Sequence, residues 1–302
     1  MHTRLDILTW NVQWFCGLDG RVSVERVLAE ARAIVDFDVL CLQEVAAHYP
    51  GLDGGADFDQ AARVQALLPG FEVHYAPAVD EHGGHPDGRR QRFGNLLATR
   101  LPAAQVHRHT LPWPAEAGVR SMPRVCLSAT LADTPVGPLR VMTTHLEYYA
   151  RTQRLAQADA LRELHRQAAG HAALPPRAGR DEDDGGPFQD KRHAAAAVLC
   201  GDFNFVAADD EYTRVQAPVP RPARRLVDAW TVAHAQRPHA PTFRLYDQRY
   251  GKEPITCDFF FVSEDLRPYV RDVQVEAASR ASDHQPVWLR LEAPAGPAPG
   301  PA

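Results

Sequence analysis

The sequence predicts an α/β protein in which mixed or antiparallel sheets stack as a sandwich, and three observations carry that prediction. At least nine short apolar runs, rich in β-branched residues, are spread along the chain. Only two segments show a clear helical period, and several strand-like runs follow one another with no helix between them. A doubly wound parallel sheet would need a crossover helix after nearly every strand.

The strand-like runs are Leu5–Trp10, Val39–Leu42, Phe71–Ala76, Asn95–Thr99, Val125–Leu131, Leu139–Thr144, Ala197–Cys200, Asp258–Val262 and Val287–Leu291. The first helical stripe is Val24, Val27, Leu28, Ala31 and Val35, with Ser23 as its N-cap. The second is Leu155, Ala158, Leu161 and Leu164, which Gly170 is expected to close. Both stripes read as core contacts. Glu81–Arg92 and Leu174–Arg192 read as loops, and the acidic run Asp181–Asp184 within the second as a solvated surface.

The 302 residues suffice for one large domain with a substantial core. We take 1–292 as that domain and 293–302, all Ala, Pro and Gly, as a disordered tail. Apolar residues at 45% and charged residues at 24% exclude wholesale disorder. A net charge of −5 gives no support to a tight sequence-independent nucleic-acid binder, although a site rich in acids would lower the charge of an enzyme too. No apolar run approaches the roughly 18 residues of a membrane span, and the first residues lack a signal-peptide core. The five cysteines are odd in number and form no C-x-x-C pair. They read as buried thiols of a cytoplasmic protein, not as a zinc site. No internal repeat and no protein partner is indicated.

The chemistry lies at the ends of the strand-like runs. Leu5–Trp10 runs into Asn11, Val39–Leu42 into Gln43-Glu44, Leu139–Thr144 into His145, and Ala197–Cys200 into Gly201-Asp202-Phe203-Asn204. Another run starts at Asp258, and Asp283-His284 precede the last. Each residue alone is a common turn or capping residue. Six such strand ends in one chain are poorly explained by turns, because a sheet gathers its strand ends along one edge. Oxygen donors suit a hard divalent cation, Mg2+ or Mn2+, whereas zinc would favour His and Cys. Phosphate-ester cleavage requires neutralisation of the phosphoryl oxygens, an activated water and help for the leaving oxygen. An Asp–His pair also makes sense, since a carboxylate fixes the imidazole tautomer and raises its pKa.

Seven fragments, Thr9-Trp10-Asn11-Val12, Leu42-Gln43-Glu44-Val45, Gly94-Asn95-Leu96-Leu97, Thr144-His145-Leu146, Gly201-Asp202-Phe203-Asn204, Asp258-Phe259-Phe260-Phe261-Val262 and Ser282-Asp283-His284-Gln285-Pro286-Val287, occur in this order. They resemble the endonuclease/exonuclease/phosphatase superfamily, also called the deoxyribonuclease I-like fold. The resemblance implies a four-layer α/β sandwich, two central sheets with helices outside, and an active site at one end. It implies Mg2+ or Mn2+ held by Asn11, Glu44, Asp202, Asn204, Asp283 and His284, with Glu44 as principal ligand. It implies that Asp202 activates water, Asn204 donates to a phosphoryl oxygen, His145 aids the leaving oxygen, and Asp258 orients His284. Gln13 stands where abasic-site nucleases of the superfamily carry an acid, which disfavours that branch. Glu147-Tyr148-Tyr149 and the following Arg154 and Gln157 look more like uncharacterised bacterial members. Arg154 by itself reads as part of a solvated helix face.

The expected reaction is metal-dependent hydrolysis of a phosphodiester, first in DNA or RNA and second in a small molecule or lipid headgroup of the inositol phosphate or sphingomyelin type. A catalytically inactive binding relative is a third reading, disfavoured by the desolvation cost of so many polar groups. Trp14, Tyr49, Tyr148 and Tyr149 are candidates for stacking on bases, and Phe15 reads as core. Arg89, Arg90 and Arg92 are either extra phosphate contacts or a solubilising cluster.

Overall fold

The computed structural model describes residues 3–175 and 186–293. In chain order the elements are β1 (Arg4–Asn11), α1 (Val24–Ile34), β2 (Val39–Tyr49), β3 (Ala56–Asp59), α2 (Gln60–Leu67), β4 (Glu72–His82) and β5 (Arg90–Thr99). Then come β6 (Ala103–Thr110), β7 (Val125–Leu131), β8 (Leu139–His145), α3 (Arg151–Ala172), β9 (Ala197–Asp202) and α4 (Asp210–Val215). The chain closes with β10 (Leu226–Asp228), α5 (Ala229–His234), β11 (Asp258–Ser263), β12 (Val270–Val275) and β13 (Val287–Glu292).

The strands form two mixed sheets, in the orders β12-β13-β1-β2-β5-β4, with β3 added to β2, and β10-β11-β9-β8-β7-β6. Each sheet has one parallel pair, β1 with β2 and β8 with β9, and every other pairing is antiparallel. The inner faces meet in a core that includes Leu5, Ile7, Val39, Leu127, Val141, Val198 and Phe260. The outer face of the first sheet carries Leu8, Trp10, Leu40 and Leu42 against the apolar side of α1. That of the second packs Leu199, Phe259 and Phe261 against Leu161 of α3. Both faces of the central strands are therefore covered, which is why their sequences read as continuous apolar runs and not as alternation. The four-layer sandwich is the one expected.

Several boundaries differ from the expectation. Ser23 caps α1 as read, its side chain accepting from Arg26 N at 3.1 Å. Gly170 does not close α3, which runs on to Ala172. The expected Glu81–Arg92 loop shrinks, because β4 and β5 extend into it as a long hairpin. The short strands β3 and β10, the strands β6 and β12, and the helices α2, α4 and α5 carry too few apolar residues in period to stand out in the sequence. The Asp181–Asp184 run and nearly all of the expected tail lie outside the described residues. No helix among the described residues is long and apolar enough to cross a membrane.

Gly94 has a packing reason. A Cβ there would sit 2.1 Å from the carbonyl oxygen of Ala76 and 2.7 Å from Cα of Pro77, on the strand opposite. Replacing it by alanine forces backbone to move. We expect Gly94→Ala to destabilise the fold by about 1–3 kcal/mol, the usual range for overpacking. Urea denaturation of wild type and variant reads the difference, and equal midpoints would show that the hairpin accommodates the methyl.

Candidate metal and phosphate site

The parallel pairs place the site. In the first sheet Asn11 pairs with Gln43, and in the second His145 pairs with Asp202. Parallel neighbours run the same way, so the two facing sheets bring the ends of β1, β8 and β9 and the middle of β2 to one edge. The antiparallel neighbours supply their beginnings: Asp258, the first residue of β11, pairs with Asp202, while Asp283 and His284 lie just ahead of β13.

Glu44 reaches this edge through an irregularity. It lies within β2, not at its end, at a register shift between Leu42 and Val45 that inserts one extra residue. Its φ is 62°, a left-handed conformation that costs about 1–3 kcal/mol in a non-glycine residue. The bulge lets two successive side chains reach the inter-sheet side: Gln43 Nε2 donates to Thr143 Oγ1 at 2.9 Å, and Glu44 Oε1 lies 3.9 Å from His145 Nδ1. Positive φ also occurs at Asn204 and at three successive residues, Gln13, Trp14 and Phe15. The latter form a left-handed turn whose anchors are Phe15, buried in the core as expected, and the bond from Gln60 Nε2 to Trp14 O.

The expected residues come together. Glu44, His145, Asp202, Asn204, Asp283 and His284 all line one cavity of about 410 Å3. Asn11 lies behind them, its Nδ2 donating to Asp202 Oδ2 at 2.9 Å and to Glu44 Oε1 at 3.2 Å. One amide thus spaces two carboxylates, while its Oδ1 accepts from Gln13 N at 3.1 Å. Asp202 Oδ1 accepts from Asn204 N at 2.9 Å, and Ser282 Oγ lies 3.3 Å from Asp283 Oδ1. Asn204 Nδ2 bonds His145 Nε2 and Leu146 O, each at 2.9 Å. An amide N–H on Nε2 makes that nitrogen an acceptor and leaves the imidazole proton on Nδ1.

Electrostatics divides the groups. Burial and the nearby Asp283 push Glu44 up to about 7, and burial likewise raises Asp283. Burial, helped by Arg124, lowers His145 to about 3, so it stays neutral. Burial would also lower His284, but Asp258 and Asp202 outweigh it and hold His284 well above an ordinary histidine. The Asp258 contact is 2.9 Å to Nδ1, the Asp202 contact 3.7 Å to Nε2. Asp258 Oδ2 is itself held by Thr242 Oγ1 at 2.6 Å.

Asp202, Cys257 and His284 also lie close enough to form a metal-like trio. Burial and Asp258 raise the Cys257 thiol well above its ordinary value, which keeps it protonated and a poor ligand.

Some readings change. Arg154 is not on a solvated face. Its guanidinium is largely buried, with Nε 3.1 Å from Glu211 Oε1 and Nη1 bonding the carbonyls of Glu147 and Tyr148. Arg89, Arg90 and Arg92 pair with Asp87, Asp80 and Asp59, so the cluster is internally neutralised. Arg124 was not legible as a site residue. It lines the cavity and is buried, Glu147 holds its Nε at 3.1 Å, and its Nη1 has no partner. Its only sequence signal is an arginine immediately ahead of an apolar strand, too common to single out.

The model of the Endonuclease/Exonuclease/phosphatase family matches residues 8–284. The chain belongs to that family. Its members are hydrolases acting on phosphate esters, generally with divalent metals. The fold is similar to an endonuclease/exonuclease/phosphatase from Bacteroides vulgatus, at 18% identity and TM-score 0.66, covering 96% of this chain and 99% of that one. It is similar to a mannosyl-6-phosphatase from Bacteroides thetaiotaomicron, at 17% and 0.60, covering 94% and 98%. It is also similar to a 3′ phosphatase from Neisseria bound to a product DNA hairpin, at 19% and 0.58, covering 95% and 99%. No match was found among curated proteins.

Asp258→Asn should lower the His284 pKa, because it removes the carboxylate that outweighs burial. The sign carries into stability. The contribution of a raised imidazole is complete below the ordinary histidine pKa and is lost as pH rises through the folded-state value. An NMR titration of the His284 ring in both proteins measures this, and coincident curves would break the assigned pairing.

Proposed function

We propose that the protein is a Mg2+- or Mn2+-dependent phosphodiesterase acting on nucleic acid. The observation that carries the reading is the convergence of Glu44, Asp202 and Asp283 on one cavity floor, where none forms an ion pair with arginine or lysine among the described residues. Buried like charges are costly unless something offsets them. A hard divalent cation does so, and the donors are mainly oxygens, as Mg2+ and Mn2+ prefer. Glu44, Asp202 and Asp283 would hold it, with Asn11 and Asn204 completing or bracing the set, while a protonated His284 has no lone pair for the cation and serves the phosphate instead.

When bound, the cation polarises a phosphoryl oxygen and neutralises charge that builds on it. Asp202 orients the attacking water and accepts its proton as the water oxygen bonds to phosphorus. His284, charged because Asp258 backs it, faces a non-bridging oxygen through Nε2. Arg124, which lines the cavity, supplies a second positive charge toward the phosphoryl group. His145, fixed by Asn204 with its proton on Nδ1, hydrogen-bonds the leaving oxygen as the P–O ester bond breaks. The departing alcohol takes its proton from surrounding water, and Asp202 returns its own to solvent.

The aromatic lining, which includes Trp14, Tyr49, Tyr148 and Tyr149, favours a nucleic-acid substrate. A small-molecule phosphoester is the second reading, favoured by a cavity of about 410 Å3, the size of a single small ligand. All five cysteines are buried and unpaired, which fits a reducing compartment such as the cytoplasm.

Glu44→Ala should abolish turnover in Mg2+ or Mn2+ and keep the fold. It should also remove the rise in Tm that either ion gives the wild type, since an ion that binds only the folded state stabilises it. EDTA should silence the wild type reversibly. Full activity in Glu44→Ala, or turnover surviving exhaustive chelation, would refute the ligand assignment.

A further inference from the structure

We infer that the cavity takes nucleic acid with unpaired bases, held on an aromatic wall that runs outward from His284; this rests on the phosphodiesterase reading above. Phe243 stacks on the His284 ring with centroids 4.3 Å apart and planes 18° apart. Tyr250 follows at 6.0 Å from Phe243, tilted by 32°; Tyr148 lies 6.2 Å from Tyr250 and Tyr149 4.8 Å from Tyr148, both edge-to-face at 74° and 88°. The guanidinium of Arg120 lies 5.7 Å over the Tyr149 ring. The series therefore starts at the phosphoryl-binding histidine and ends at an exposed cation.

Local packing does not account for this wall. Its members come from separate segments: the β8–α3 connection, the stretch ahead of β11, and the β6–β7 connection. Tyr149 and Tyr250 are 51% and 46% exposed, so their rings stay in water at the cavity mouth. The two exposed rings, Tyr149 and Tyr250, are separate platforms at the edge of a phosphoester site, and a π-face of this kind accepts any base.

The charge distribution selects unpaired strands over duplex. Duplex affinity comes chiefly from Lys and Arg neutralising phosphates. Here the net charge is −5. The three arginines of the β4–β5 hairpin, which adjoins the cavity through Phe93, are paired with Asp87, Asp80 and Asp59. Stacking is then the main source of affinity, and a base inside a duplex has both faces already covered by its neighbours.

The test uses the full chain in Mg2+. Cleavage of a single-stranded oligonucleotide is compared with cleavage of the same sequence annealed to its complement, and with a hexose 6-phosphate. Binding of a fluorescein-labelled, phosphorothioate-linked single strand, which resists hydrolysis, is measured by anisotropy for wild type, Tyr149→Ala, Tyr250→Ala and the two Tyr→Phe variants. We expect kcat/KM for the single strand to exceed that for the duplex at least about tenfold, and each alanine variant to weaken binding by about tenfold, while phenylalanine, which keeps the ring, stays within about twofold. Both sites are exposed, and a thermal melt confirms that each variant folds. Equal cleavage of single strand and duplex, or alanine variants that bind like wild type, overturns the inference. Turnover of the hexose 6-phosphate without single-strand binding overturns it as well. If no phosphoester is turned over but ring-dependent single-strand binding persists, the catalytic reading fails and the stacking wall stands.

Discussion

The site is organised by the crowding of three carboxylates, Glu44, Asp202 and Asp283, in one cavity. Repulsion and burial push Glu44 up to about 7. The neighbouring groups answer that cost with partial positive charge: one amide spaces two of the carboxylates, a backbone N–H caps Asp202, and the Ser282 hydroxyl faces Asp283. Left-handed backbone at Glu44 and Asn204 aims the side chains, and such strain persists only where the surroundings over-determine it. On the proposed reading, a divalent cation would relieve what these dipoles leave uncompensated.

The topology makes the crowding possible. A wholly antiparallel sandwich would send alternate strand ends to opposite edges. One parallel pair in each sheet runs two strands the same way, so the ends of β1, β8 and β9 and the middle of β2 meet at one edge. Antiparallel neighbours then contribute their first residues to that same edge, which is how Asp258 comes to pair with Asp202. Residues as far apart in sequence as Asn11 and Asp202 thereby share a hydrogen bond.

Much of this was legible in the sequence because strand ends are marked by where apolar runs stop. Asn11, His145 and Asp202 are each the last residue of their strand, and Asp258 is the first of its own. Glu44 was located by the same rule for a different reason: β2 continues to Tyr49, and only the bulge takes Glu44 out of the alternation. A bulge depends on the register of the partner strand, which one strand's sequence does not encode. Arg124 and Arg154 escaped for a related reason. Their roles come from burial against Glu147 and Glu211, and a side chain's partner 23 or 57 positions away leaves no local pattern. The aromatic residues were visible singly, but their order along a wall is a property of loops meeting in space.

That wall and the carboxylate floor share a segment, and the sharing has a mechanical consequence. The chain from His145 to Tyr149 carries a cavity-lining histidine at one end and an exposed tyrosine at the other. Between them Glu147, fully buried, binds Arg124 on the cavity side and accepts from Tyr149 N at 3.0 Å, while its own N–H donates to Gln157 of α3. Arg154 of the same helix ties down the next two carbonyls and is anchored in turn on Glu211 of α4. Buried charge pairs of this kind add little net stability, but breaking one is expensive, so they hold geometry well. On the proposed reading, a base on Tyr149 and a phosphate beside His145 would be referred to this one hydrogen-bonded frame. Substrate position and reaction geometry would then be set together, which is what a site needs if binding energy gained several ångströms away is to align the scissile bond.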